Sequence, residues 1–162
     1  MELTDLENLS SNLGALLLEK KMFFTCAESC TGGLLSQSIV SVAGSSAWFG
    51  CSFITYSNYS KHKMLGVSKD SLKSYGAVSE EVVGEMVSGA LSESRANLGI
   101  AISGIAGPGG GSPERPVGTV CIAWKLNEGE EIKETFLFDG KRNEVRYRTV
   151  LKALEGAIDL LK

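Results

Sequence analysis

A short run of almost wholly apolar residues, Leu98–Ser103, constrains the fold of this chain more than any other feature. A strand that is apolar at nearly every position has to be covered on both faces, so the run predicts a central strand between two layers of helices. Patterns typical of such helices occur on both sides of it. Leucines recur at helical spacing over residues 4–20, which predicts a first helix. Ser79 is a predicted N-cap for a second, amphipathic helix that runs to Leu91, and apolar residues at helical spacing predict a third helix over about 143–161.

The remaining segments alternate between strand and helix patterns. A strand is predicted over Met22–Ala27, and a helix follows it. A second strand is predicted around Trp48–Tyr56, and a short polar helix over Ser57–Met64 follows that strand. A hairpin that turns at Asn127–Gly129 would complete the sheet. Alternation followed by a hairpin predicts the α/β class, a three-layer α/β/α sandwich with a mixed sheet.

Charge and length exclude several classes of protein. The chain has 162 residues, 16 of them Lys or Arg and 19 Asp or Glu, which gives a formal net charge of −3. The net charge therefore provides no overall electrostatic attraction to nucleic acid or to an anionic membrane. No stretch approaches the ~20 apolar residues of a membrane span, and acidic residues stand where a secretory signal would be basic. We expect one cytoplasmic domain over residues 1–162, with no nucleic-acid or membrane partner.

Metal ligands are scarce in the sequence. No Cys-x-x-Cys pair occurs among the four cysteines, which are Cys26, Cys30, Cys51 and Cys121. Because a structural zinc site needs paired ligands at short spacing, no metal or other cofactor is expected, and the cysteines are predicted to be small buried side chains. The one histidine, His62, lies between Lys61 and Lys63 and is predicted to be solvated at the surface.

Three polar segments follow three of the predicted strands: Glu28–Gly33, Ser57–Lys63 and Gly104–Arg115. In an open α/β sheet, ligands bind beside the carboxyl ends of the strands. These segments are therefore the candidate functional site.

Ser29 lies in the strand-to-helix turn of the first segment. The backbone N–H groups of Cys30 and Thr31 would be unpaired there and would form an oxyanion hole for a nucleophile at Ser29. Gly32 and Gly33 leave room for a substrate to approach the backbone. The alternative is that Ser29 only caps the helix.

A serine nucleophile needs a base, because its hydroxyl reacts weakly at neutral pH. With no suitable histidine, a lysine must serve, and Lys61 and Lys63 follow the second strand. A buried lysine loses proton affinity and becomes a base, whereas a solvated one does not, so both interpretations stay open. Cys30 is a rival nucleophile, but it lacks a histidine to activate it.

Two further features suggest an anionic ligand. The glycine-rich loop after Ser103 is not a Walker loop, because no Gly-Lys-Ser/Thr follows it, yet its backbone could surround a small nucleotide. Basic residues open the last helix, where they oppose the helix dipole unless an anion binds. They are Lys141, Arg142, Arg146 and Arg148. A flexible surface loop and ordinary surface arginines are the alternatives.

Several motifs stand together in the order of a known family. They are Ala27-Glu28-Ser29-Cys30-Thr31-Gly32-Gly33, Gly44-Ser45-Ser46, Tyr56-Ser57-Asn58 with Lys61, Gly76–Glu80, Ser103–Gly110, Arg115–Val120, and Gly140-x-Arg142 with Arg146. Over residues 6 to 160 the chain thereby resembles the CinA C-terminal domain family, which includes stand-alone nicotinamide mononucleotide amidohydrolases. A departure is the pair Cys51-Ser52, where the family often has glycines, and it affects the expected pocket width.

The resemblance implies hydrolysis of nicotinamide mononucleotide to nicotinate mononucleotide and ammonia, without a metal, by a homodimer or larger homo-oligomer. Ser29 would be the nucleophile, Lys61 its base, Tyr56 a hydroxyl of the same network, and Arg142 a basic residue needed for activity or for the substrate phosphate. The remaining residues expected at the oxyanion hole or the substrate are Cys30, Thr31, Gly32, Gly33, Ser46, Ser103, Gly104, Gly107 and Gly109. Two alternatives remain: a non-catalytic nucleotide-binding or docking module, and an amidase or esterase for another small substrate.

Overall fold

A five-stranded mixed sheet organises the computed structural model, which describes residues 4–162. Its strands are β1 (Phe24–Glu28), β2 (Phe49–Ile54), β3 (Leu98–Gly104), β4 (Thr119–Leu126) and β5 (Glu131–Leu137). The strand order is β2-β1-β3-β4-β5; β1 runs parallel to β2 and β3, and β4 runs antiparallel to β3 and β5. The predicted central strand is thus the middle strand of the sheet, and the carboxyl ends of β1, β2 and β3 lie at one edge.

Helices cover both faces of the sheet. They are α1 (Thr4–Lys20), α2 (Leu34–Val40), α3 (Asn58–Leu65), α4 (Lys69–Tyr75), α5 (Glu80–Ser92) and α6 (Arg142–Leu161), with a 3₁₀ turn at Ser45–Ala47. One apolar core joins α1, α2 and α6 to the sheet, and a second lies under α5 on the opposite face, where α3 and α4 pack against α5. The predicted α/β/α sandwich is confirmed. Within residues 4–162, no helix has the length and apolar character needed to cross a membrane.

Helix α4 is the element that the sequence patterns missed. None of its seven residues is buried, so no apolar periodicity marks it. Polar contacts define it instead: Ser68 caps its amino end by accepting from the N–H groups of Asp70 and Ser71, and Ser71 Oγ donates to Glu85 of α5 at 2.6 Å. Local capping together with tertiary hydrogen bonds, among them those from Ser68 N–H and Ser71 Oγ to Glu85, therefore sets this helix.

Two predictions about single residues are wrong. Cys26, Cys30 and Cys121 are buried as expected, but Cys51 is exposed because it lies on the edge strand β2, beside which residues 4–162 place no further strand. His62 is half-buried, with its Nδ1 atom 2.8 Å from the carbonyl oxygen of Val67. The chain bends back after α3, and this return covers the ring.

Candidate active site

A cavity of about 270 Å³ opens at the carboxyl edge of the sheet, where the three polar segments meet. The residues that line it are Ser29, Cys30, Tyr56, Asn58, Lys61, Ala77, Val78, Ser103, Gly104, Ile105, Ala106, Gly107, Gly109, Gly110 and Arg142. The volume is slightly below the ~300 Å³ at which typical small-molecule sites begin, so it suits one small ligand. Nine of the residues predicted for the site are brought together here, namely Ser29, Cys30, Tyr56, Lys61, Ser103, Gly104, Gly107, Gly109 and Arg142.

Ser29 lies directly after β1 in a tight turn. Its N–H donates to the carbonyl oxygen of Ile102 in β3 at 3.0 Å, and its own carbonyl accepts from Gly32 N–H at 3.0 Å. Gly32 and Gly33 have φ values of 56° and 98°, which residues with a side chain rarely adopt. Gly33, and not Ser29, is the N-cap of α2. The capping interpretation of Ser29 is therefore wrong, and its hydroxyl is free to face the cavity.

Lys61 reaches Ser29 from α3. Its side chain is only 1% exposed, and its Nζ atom donates to Ser29 Oγ at 2.8 Å and to the carbonyl oxygen of Thr55 at 2.7 Å. Ser57 caps α3 through a reciprocal pair of hydrogen bonds with Ser60, and this fixes where the helix begins. Lys63, two residues further on, is exposed. Of the two lysines that the sequence left open, Lys61 is the one beside Ser29.

Burial changes the acid–base properties of Lys61. Desolvation lowers its pKa from 10.5 to about 8, and the nearby Cys30 thiol opposes this shift only in part. Among residues 4–162 no carboxylate forms an ion pair with Lys61. At pH 7 about one tenth of the molecules consequently carry a neutral, basic amine next to the Ser29 hydroxyl.

Cys30 also lines the cavity, although its side chain is only 6% exposed. Burial raises the pKa of its thiol to about 12, so the sulfur stays protonated at neutral pH. A thiol is a poor nucleophile compared with its thiolate. The geometry and the electrostatics therefore both favour Ser29 over Cys30.

The backbone N–H groups of Cys30 and Thr31 donate to no other residue within 4–162. Unpaired donors beside a serine hydroxyl are the usual material of an oxyanion hole. The side chain of Thr31 is turned inward and donates to Glu28 Oε1 at 2.7 Å. Thr31, Gly32 and Gly33 do not line the cavity. They shape the turn that presents Ser29.

Ser46 is not brought into the site. It is exposed in the 3₁₀ turn just before β2, and β2 begins next to the first residue of β1. This position is at the amino edge of the sheet, opposite the cavity. The contact predicted between Ser46 and the substrate has no support in this geometry, because α2 returns the chain to the other end of the sheet.

Tyr56 and Arg142 meet at the mouth of the cavity. Arg142 donates from Nη2 to Tyr56 Oη at 3.0 Å and from Nη1 to the carbonyl oxygen of Gly107 at 2.7 Å. It forms no ion pair with a carboxylate in the described part of the chain. Its positive charge is therefore available to an anion that enters the mouth.

Arg142 is the only one of the four basic residues of this region that lines the cavity. Arg146 is directed to the carbonyl oxygen of Thr31, at 2.8 Å, and Lys141 and Arg148 are exposed. The glycine-rich loop forms one wall: Ser103 is 1% exposed, and Gly107 is buried with φ 84°. This segment is a cavity wall, contrary to the alternative of a free surface loop.

Six lining residues were not predicted individually as site residues, namely Asn58, Ala77, Val78, Ile105, Ala106 and Gly110. Four of them, Asn58, Ile105, Ala106 and Gly110, lie within the candidate segments Ser57–Lys63 and Gly104–Arg115. Asn58 follows the helix cap Ser57, three positions before Lys61, and this spacing places both side chains on one side of the first turn of α3. Helical spacing from Lys61 would have identified Asn58. Ala77 and Val78 carry no local signal, because their position depends on the packing of α4 and α5.

No group of three or more His, Cys, Asp and Glu side chains within residues 4–162 is arranged to hold a metal ion. The polar side chains that line the cavity carry two hydroxyls, a thiol, a carboxamide, an amine, a phenol and a guanidinium, and backbone groups of the glycine-rich loop join them. This set suits acyl transfer from a small, negatively charged substrate.

Comparison with known proteins gives consistent matches over nearly the whole chain. The model of the CinA C-terminal domain matches residues 6–161. A protein of Enterobacter agglomerans named nicotinamide-nucleotide amidohydrolase PncC is 48% identical over 94% of this chain and 93% of its own length. The protein of the same name from Escherichia coli K12 is 47% identical over 94% of this chain and 92% of its own length.

A solved structure has the same architecture. The competence/damage inducible protein CihA from Agrobacterium tumefaciens superposes with a TM-score of 0.94 at 42% identity, over 98% of this chain and 96% of that one. Sequence and fold thus agree over the full set of elements described above. This chain belongs to the CinA C-terminal domain family.

Proposed function

We propose that this chain hydrolyses the carboxamide of nicotinamide mononucleotide to give nicotinate mononucleotide and ammonia. The observation that carries the proposal is the 2.8 Å contact between Lys61 Nζ and Ser29 Oγ in a cavity that Arg142 borders. Relatives that are 47–48% identical bear the name nicotinamide-nucleotide amidohydrolase, and this supports the choice of substrate.

Attack begins from neutral Lys61. With a pKa of about 8, about one tenth of the lysine is neutral at pH 7, whereas an ordinary lysine would be neutral in about three molecules in ten thousand. The neutral amine keeps a hydrogen bond to the Thr55 carbonyl and accepts the Ser29 proton through its lone pair. Burial thus raises the share of reactive enzyme about 300-fold.

The serine oxygen then adds to the carboxamide carbon. The developing oxyanion would be held by the N–H group of Cys30, which lines the cavity, whereas Thr31 does not. Lys61, now an ammonium, returns its proton to the leaving nitrogen, which departs as ammonia and leaves an ester on Ser29. Lys61, neutral again, takes a proton from a water molecule, and the resulting hydroxide attacks the ester carbon. The bond from that carbon to Ser29 Oγ then breaks, and Lys61 returns the proton to Oγ, which gives the acid and free Ser29.

Arg142 would bind the substrate phosphate. Its two present partners, Tyr56 Oη and the Gly107 carbonyl, are neutral and leave the guanidinium charge uncompensated. Tyr56 would orient Arg142, because it contacts the guanidinium at the mouth of the cavity. The phosphate would hold the nucleotide so that its carboxamide reaches Ser29.

Ammonia release tests the substrate. Nicotinamide mononucleotide should be deamidated, whereas nicotinamide, asparagine and glutamine, which lack the phosphate, should react at least about 100-fold more slowly in kcat/KM. Equal rates on all four compounds would indicate a general amidase, and no reaction with any would indicate a binding module. The family resemblance also predicts a homodimer or larger assembly, which light scattering on the purified protein would measure.

A further inference from the structure

A fully buried carboxylate next to the nucleophile has no part in the chemistry described so far. Glu28, the last residue of β1, is 0% exposed. No basic side chain of residues 4–162 forms an ion pair with it. A buried charge without a partner of opposite sign is costly, unless hydrogen bonds compensate for the lost water.

Four hydrogen bonds compensate this carboxylate. Oε1 accepts from Thr31 Oγ1 at 2.7 Å and from Leu35 N–H at 2.9 Å, and Oε2 accepts from the N–H and Oγ of Ser36 at 3.0 and 2.6 Å. The donors lie within the Ser29–Gly33 turn and in the first turn of α2. The carboxylate therefore ties the end of β1 to α2 across the turn that presents the nucleophile.

The main chain of Glu28 is connected to the base as well. Its carbonyl accepts from Thr55 N–H at 2.9 Å, and the carbonyl of Thr55 accepts from Lys61 Nζ at 2.7 Å. The side chain thus holds the turn of Ser29, and the backbone holds the strand end that anchors Lys61. One residue links both members of the reacting pair.

We infer that Glu28 is a positioning residue, whose carboxylate keeps the Ser29–Gly33 turn in the geometry that places Ser29 Oγ against Lys61 Nζ. The inference rests on the proposed function for its activity measurement. Glu28 acts through geometry and not through charge, since burial is what lowers the pKa of Lys61, the Cys30 thiol opposes that shift, and Glu28 is not among its causes. Two of its four donors are backbone N–H groups, which cannot turn round to accept.

Glu28→Gln tests this directly. The amide has nearly the same shape, but its NH₂ group must face one of the two backbone N–H groups, so the turn has to shift. We expect kcat to fall about 100-fold, as for a misplacement of about 1 Å, while KM for nicotinamide mononucleotide changes less than about threefold. The inflection of the pH–rate profile should stay where it is in the wild type, because Lys61 keeps its environment.

Two further variants separate positioning from simple loss of stability. Ile39→Ala removes a fully buried side chain from α2 without touching the carboxylate, so it should lower Tm and leave kcat unchanged. Ser36→Ala removes the 2.6 Å bond to the carboxylate together with a 3.5 Å contact to Cys26 Sγ, and leaves the other three bonds to Glu28 in place. It should lower kcat about 10-fold in a folded protein, which keeps the test valid if Glu28→Gln does not fold. Wild-type kcat in both Glu28→Gln and Ser36→Ala, with Tm lowered as in Ile39→Ala, would overturn the inference. A shifted pH inflection in Glu28→Gln would also overturn it, because the effect would then be electrostatic.

A substrate-independent measurement distinguishes this inference from the proposed function. A fluorophosphonate probe should label Ser29 in the wild type and label it more slowly in Glu28→Gln, by about the factor seen in kcat. If the wild type is labelled but releases no ammonia from nicotinamide mononucleotide, the substrate is wrong and the slower labelling still supports the positioning role. Equal labelling rates in both proteins would refute that role whatever the substrate.

Discussion

Replacing Lys61 by arginine isolates the proton transfer from the positive charge. Arginine keeps a cation at this position, but its pKa is far too high for it to give up the proton at any pH used in an assay. About one tenth of Lys61 is neutral at pH 7, whereas the neutral fraction of an arginine is below about 1 in 10⁵. If the neutral amine is the base, Lys61→Arg should lower kcat at least about 10⁴-fold.

The titration of Lys61 also determines the shape of the wild-type pH–rate profile. Turnover should rise about 10-fold between pH 7 and a plateau above pH 9, with its midpoint near the lowered pKa of about 8. The assay is the initial rate of ammonia release at saturating nicotinamide mononucleotide, measured from pH 6 to 10. Lys63→Arg is the matched control, since Lys63 is exposed two positions away in the same helix and should keep the wild-type profile. Normal turnover by Lys61→Arg across this series would refute the role of Lys61 as base.

Three further outcomes follow from the same geometry. Lys61→Met should be inactive yet more stable than the wild type at pH 7, because the pKa lowered from 10.5 to about 8 corresponds to a penalty of up to about 3 kcal/mol on the native state. Between pH 8 and 10.5 the unfolded wild type binds more protons than the native state, so the free energy of unfolding of the wild type should rise over that window. The greater stability of Lys61→Met in chemical denaturation should therefore disappear by pH 10.5. The same difference in stability between the two proteins at pH 7 and at pH 10.5 would contradict this. Arg142→Lys loses the planar guanidinium that contacts Tyr56 and Gly107 and should raise KM about 10-fold or more with a smaller change in kcat, whereas an unchanged KM would exclude Arg142 from phosphate binding. Treatment with EDTA should leave turnover intact, and loss of activity that a divalent ion restores would favour a metal-activated water over Ser29.

The sequence predicted the elements whose signals are local. An apolar run marks β3, and the strand–turn–helix pattern around Ser29 predicts both its exposure to a ligand and the unpaired N–H groups beside it. Helix α4 could not be predicted in this way, because it buries none of its residues. Ser46 shows the limit of transferring a motif residue by residue, since its turn lies at the opposite edge of the sheet.

Contacts between distant segments explain what local patterns left open. Only the tertiary burial of one face of α3 distinguishes Lys61 from Lys63, so the family resemblance was needed to choose between them. The Arg142–Tyr56 contact joins residues 86 positions apart, and no periodicity predicts it. Glu28 was visible in the sequence as part of the motif, but its role depends on donors from α2 that only the folded turn brings to it.

The most direct test of the account compares ammonia release from nicotinamide mononucleotide by the wild type, Ser29→Ala and Cys30→Ala. These neighbours share one turn and both line the cavity, but only Ser29 contacts Lys61, and the Cys30 thiol stays protonated with its pKa raised to about 12. The account predicts that Ser29→Ala remains folded and loses turnover by on the order of 10⁴-fold or more, while Cys30→Ala keeps most of it. Wild-type turnover by Ser29→Ala together with loss of activity in Cys30→Ala would contradict the assignment of Ser29 as the nucleophile.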